Sequence, residues 1–139
     1  SDLRASLRSS LILPMSPPIT YDLTTTVLDD HVAARVRVIE FTPDVVPLFL
    51  REARNVLLEA RLGRLLLEVE LAHALTDREA FAVMQQFSDL MPGLKVALIN
   101  RDARHHDTLS FGTQICQASG QEYRYFSCPT TARDWLVAQ

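Results

Sequence analysis

The chain has 139 residues, a formal net charge of −3 and 47% apolar residues, enough for one hydrophobic core and too little positive charge for a nucleic-acid footprint. Charge is also interleaved locally, as in Arg51, Glu52, Arg54, Glu59, Arg61 and Arg64, so no basic run marks nucleic acid as a partner. No apolar run approaches the ~20 residues of a membrane span. Cys116 and Cys128 have neither CxxC spacing nor a disulfide framework, and these features predict a soluble cytoplasmic protein with reduced thiols.

Residues 1–18, SDLRASLRSSLILPMSPP, are rich in Ser, Arg and Leu and end in Pro14, Pro17 and Pro18. Proline fixes φ and removes a backbone donor, so this stretch predicts a flexible or extended arm, native or a leader ahead of a start at Met15. Its apolar run, SLILPM, is too short for a signal peptide. The domain proper is expected over residues 19–139. ITYDLTTTVLDDHVAARVRVIEF alternates apolar and polar positions around a turn at Asp29-Asp30, which reads as a hairpin.

A helix is expected next, with Thr42 as N-cap, Pro43 at its first position and Gly63 as its stop. Its core stripe is Val46, Phe49, Leu50, Ala53, Leu57 and Ala60, with Val45, Leu48 and Val56 as an apolar surplus beside it. RLLLEVEL is short and nearly continuous in its apolar residues, as in a strand covered on both faces. Thr76 to Leu90 predicts a second helix burying Ala80, Met84 and Phe87, broken by Met91-Pro92-Gly93. KVALIN predicts another buried strand, and RDARHHD a polar loop. A third helix opens at Asp107 or Thr108, buries Phe111, Ile115 and Ala118, and closes at Gly120. EYRYF is a last strand. TTARDWLVAQ after Pro129 is a last helix, with Ala132, Trp135 and Leu136 on its inner side and Trp135 as its anchor. The order β-β-α-β-α-β-α-β-α predicts an α/β domain whose mixed sheet is mostly parallel after the opening hairpin.

This order, the strand running into LTDREAF and the ending YRYFSCPTTARDWL resemble SpoIIAA-like proteins of the STAS fold. The positions that carry the likeness are Phe126, Ala132, Trp135 and Leu136, and it covers roughly residues 19–138. The resemblance implies a single-domain STAS-like fold without catalysis or cofactor, as in anti-sigma-factor antagonists, regulatory modules of transporters and other single-domain relatives. In the phosphorylatable branch a Ser or Thr following an Asp starts the helix after the third strand. Here Thr76 stands at that place, but Asp77 follows it rather than preceding it.

Thr76-Asp77-Arg78-Glu79 also reads as a capping box, and the cap is the preferred reading of Thr76. Loops leaving the carboxyl ends of parallel strands gather at one edge, where ligands commonly bind. That edge should hold Glu40, Thr42, His73, Thr76, Asp77, Asn100, Asp102, His105 and His106, with Ser127 and Cys128 nearby. The histidines and carboxylates are the types a metal or acid–base site needs, but their spacing matches no metal motif. The four glycines form no phosphate cradle. The sequence therefore predicts a regulatory module working through an unidentified protein partner. A small apolar ligand or lipid held between helices and sheet is the alternative, and a metal-dependent enzyme at the histidine loops the third. Homodimerisation stays open.

Overall fold

The computed structural model describes residues 20–42, 44–72 and 75–138. The expected arm, Ile19, Pro43, His73 and Ala74 lie outside the described residues. Alternating side chains pair β1 (Tyr21–Val27) with β2 (Val32–Val38) as the antiparallel hairpin, Tyr21 opposite Val38. Then come α1 (Val45–Ala60), β3 (Arg64–Leu71), α2 (Asp77–Leu90), β4 (Lys95–Ile99), a 3-10 turn at Ala103–His105, α3 (His106–Ala118), β5 (Glu122–Phe126) and α4 (Pro129–Val137). Strands β2 to β5 are parallel, and the sheet order is β1-β2-β3-β4-β5. Among the described residues the protein is thus an α/β domain of four helices on a five-stranded mixed sheet.

Helices α1, α2 and α3 cover one face of this sheet, where Val32, Val36, Leu65, Leu67, Val96, Leu98 and Tyr123 meet Phe49, Leu50, Met84 and Phe87. Among the described residues the other face carries only α4, over β3, β4 and β5, on a small cluster of Ala97, Ile99, Ala132 and Leu136. Where α4 does not reach, that face is polar: Arg35 and Arg37 of β2 and Glu70 of β3 are exposed. Strand β3 is therefore covered on both faces only over its first half.

Several local expectations need correcting. Asp44, not Thr42, is the N-cap of α1, and α1 stops at Arg61 rather than Gly63. Arg61 takes the left-handed conformation (φ 59°), which lets Arg61 and Leu62 donate to the carbonyls of Leu58 and Leu57 and turns the chain into β3 two residues early. Val45, expected as surplus, is core; Leu48 is half-exposed. The third helix begins at His106 because the 3-10 turn leads directly into it. Its buried stripe is Leu109, Gly112, Thr113 and Cys116, whereas Phe111 is 64% exposed. The small Gly112 brings α3 so close to α2 that a Cβ there would lie 2.5 Å from Met84 Cγ.

Helix α4 has no basic residue in its last turn, and the sheet supplies cations instead. Lys95 Nζ donates to the carbonyls of Trp135 (2.9 Å) and Ala138 (3.1 Å), and Arg64 donates to Val137 O (3.3 Å), satisfying acceptors where the helix dipole is negative. Trp135 is only partly buried, stacked beside Phe126 and under Lys95, while Leu136 is wholly buried. Leu136 rather than Trp135 is thus the principal anchor. Leu136→Ala is expected to cost about 2–5 kcal/mol by cavity formation, and Trp135→Ala about 1–2 kcal/mol because part of its ring stays in water when folded. Urea unfolding of both variants checks this ranking, and the reverse order would return the anchor to Trp135.

Candidate functional site

The carboxyl ends of β2 to β5 and the starts of α2 and α3 share one edge, and the expected site residues within the described chain fall there. Thr76 caps α2 from an extended backbone, with Glu79 N donating to Thr76 Oγ1 (3.1 Å) and Thr76 N donating to Glu79 Oε1 (2.9 Å). Both sides of the capping box are therefore made. Thr76 is exposed, but a phosphate there would meet Asp77 and Glu79 in the same first turn, and like charge opposes it.

The polar loop after β4 is organised by Asn100 and Asp102. Asn100 is buried, and its Oδ1 accepts from Asp102 N (2.8 Å), while its carbonyl accepts from the buried Tyr125 hydroxyl (2.8 Å). Asp102 in turn accepts from the guanidinium and the backbone amide of Arg104, which hold its carboxyl down at about 2. These bonds form an Asx-type turn that leads the chain into the 3-10 segment. His105 is buried, whereas His106 is exposed and packs its ring edge-to-face on Tyr125 at 5.2 Å. The two histidines thus face different surroundings, and among the described residues no three His, Cys, Asp or Glu side chains come close enough to hold a metal ion.

On the open face, β3 outruns β4: the last β3–β4 pair is Glu68 with Ile99, while β3 continues to Leu71. The resulting polar cleft, about 410 Å3, is edged by Arg35, Glu68, Glu70 and Arg101. Arg101 Nε sits 3.1 Å from Glu68, and Arg35 3.7 Å from Glu70, as water-facing pairs of small energetic weight.

An apolar feature lies between α2 and α3. Both helices start at the carboxyl edge and leave a groove of about 260 Å3 between them, with Ala80, Gly112 and Ile115 along it and Phe81 and Phe111 at its sides. Phe81 is 55% and Phe111 64% exposed, and Asp77, Asp107 and Thr108 stand at the end nearest the edge. Asp77, the residue after the Thr76 cap, therefore belongs to the mouth of an apolar groove, a link no local sequence signal could give. Inside the core, the space bounded by Phe41, Phe49, Leu75, Phe87 and Leu109 is only about 20 Å3, room for one water. A lipid there would require the helices to part.

Two polar groups were not singled out from the sequence. His31, buried beside the hairpin turn, bonds Asp30 through Nδ1 (2.7 Å), which lowers the Asp30 carboxyl; it lies at the opposite edge of the sheet. Tyr123 donates to the carbonyls of Phe87 and Met91 at the end of α2, and burial pushes its hydroxyl well up.

Cys128 is exposed at the start of α4, where the backbone amides of Thr131 and Thr130 hold its thiol below the usual value. One thiol, Cys128, should react with a disulfide reagent at pH 7, with the buried Cys116 reacting only after denaturation; two fast thiols would mean that α2 and α3 separate readily. Thr76→Ala is expected to lose about 1 kcal/mol and Thr76→Ser almost nothing, by thermal unfolding, since serine accepts the same amide. Equal losses would remove the cap from the account. Compared with known proteins, the chain matches no family model, no curated protein and no solved structure.

Proposed function

We propose that the chain is a non-catalytic regulatory binding module of the STAS, SpoIIAA-like kind, acting through protein–protein contact at the α2–α3 face. The observation that carries this reading is the pair Phe81 and Phe111, two half-exposed aromatic rings on one groove beside the capped start of α2. Exposed aromatics gathered on one concavity mark contact surfaces, whereas single exposed apolar residues need no explanation. Aromatic anchors also carry a large share of interface energy. The element order and the ending of the chain support the family likeness.

The test compares pull-downs with wild type, Phe81→Ser, Phe111→Ser and a control, Leu58→Ser, on the exposed side of α1. Either phenylalanine variant should weaken partner capture about tenfold or more, as expected for an anchor worth ~1.4–2 kcal/mol, and the control should not. Identical partner sets across all four proteins would sink the reading. Loss of a partner with Thr76→Asp but not with Thr76→Ser would place the module in the phosphorylation-regulated branch.

A further inference from the structure

Strand β1 stands at one end of the sheet, and among the described residues nothing pairs with its outer edge. Two hydrogen bonds fix which of its backbone groups face that edge. Leu28 N donates to His31 O (2.9 Å) at one end of the hairpin, and Ile39 N donates to Thr20 O (2.8 Å) at the other. In an antiparallel pair, opposed residues that exchange bonds alternate with opposed residues that do not. With Leu28 and Thr20 both turned inward and the register between them unbroken, Asp22, Thr24 and Thr26 also turn their backbone toward β2. The amides and carbonyls of Tyr21, Leu23, Thr25 and Val27 therefore point outward.

Open edges are normally guarded by lysine, proline, a bulge or short length. β1 has none of these guards: it runs seven residues, Tyr21–Val27, in an unbroken register, and Asp22 is its only charge. At the other end of the sheet β5 is shorter, and pairing it antiparallel with itself over its full length sets Arg124 against Arg124. Like charges directly opposite are destabilising. The β1 sequence does the reverse. Turned end for end about Thr24, it sets Tyr21 against Val27, Asp22 against Thr26, Leu23 against Thr25 and Thr24 against itself. This register uses the whole strand and opposes outward residues to outward residues, so each such pair exchanges both bonds. On the helix-covered face the half-exposed Val27 meets Tyr21, whose ring packs on Phe49. On the open face the Asp22 carboxylate meets the Thr26 hydroxyl, and no like charges are opposed. We propose that β1 is the contact of a homodimer, two copies joined edge to edge about a twofold axis at Thr24 to make one continuous sheet. The axis is perpendicular to the sheet, so both helix layers lie on the same side. The contact is one strand wide, and the dimer dissociates on dilution, as small interfaces do.

The test follows amide exchange and sedimentation equilibrium of the full chain from micromolar to millimolar concentration. Protection of the Tyr21, Leu23, Thr25 and Val27 amides should rise about tenfold or more as the mass doubles. The amides of Asp22, Thr24 and Thr26, bonded inside the hairpin, should stay protected throughout. Thr26→Lys faces the second copy's Asp22 twice per dimer and should tighten association about fivefold, and Thr26→Asp should weaken it about as much. Thr25→Pro removes an outward donor without touching a hairpin bond, and should leave a monomer with an unchanged circular dichroism spectrum. A mass that stays monomeric at every concentration would overturn the proposal. So would outward amides equally protected at all concentrations, which assigns the edge to a cover within one chain, or a dimer indifferent to both Thr26 variants, which places the contact elsewhere. None of these results bears on the α2–α3 reading, because α1 stands between β1 and α2.

Discussion

Parallel strands laid side by side in chain order constrain everything else in this domain. With β2, β3, β4 and β5 adjacent and parallel, each crossover advances by one strand in one direction. Crossovers of one hand then place every connecting helix on the same face. Helices α1, α2 and α3 must therefore form a single layer, and among the described helices only α4, which is no crossover between strands of this sheet, is free to take the other side. The same constraint puts every strand-to-helix loop at one edge. For this reason Thr76, in the loop after β3, shares an edge with Asn100, Asp102 and the start of α3, in the loop after β4.

Within the three-helix layer, the spacing of α2 and α3 decides the surface. Gly112 offers no Cβ to Met84, Cys116 sits buried against the Met84 carbonyl, and Ser88 lies 3.5 Å from the same sulfur. From below, Tyr123 fixes the last turn of α2 through two carbonyls. Small residues at the contact pull the helix axes together, so the bulky side chains of the adjoining rows cannot enter the layer and are displaced outward. Phe81 and Phe111 are exposed for that reason, and the groove is a product of the packing rather than a gap in it.

Signals confined to a few residues were legible in the sequence. The capping box needs only Thr76 and Glu79, three residues apart, and the strands of the sheet announce themselves by alternation or by continuous apolar runs. Periodicity scores apolarity alone, and so it points to the wrong side of α3. Phe111, Ile115 and Ala118 form an apolar row, while the row that is buried contains Gly112, Thr113 and Cys116, whose virtue is small size. That virtue exists only opposite Met84, some thirty residues earlier, and the groove is invisible to local reading for the same reason. Likewise glycine's ease in the left-handed region points to Gly63 as the α1 stop, but Arg61 occupies that region and β3 already pairs from Arg64. Topology alone brings the described residues of the loops after β3 and β4 to one edge, but their division into a capped helix start, an Asx turn and two differently placed histidines depends on side-chain directions that topology does not contain.

Lys95 is the single lysine of the chain, and its amine is held by two carbonyls at the end of α4 while lying 4.6 Å from the Trp135 ring centre. An ammonium so engaged is a poor nucleophile, because acylation requires the neutral amine with its lone pair free. Within these 139 residues, lysine-directed chemistry, whether enzymatic acetylation, ubiquitin attachment or an amine-reactive label, therefore has one side-chain target. Acylation there would remove the cation that meets the Trp135 and Ala138 carbonyls, so a mark on Lys95 acts directly on the end of α4.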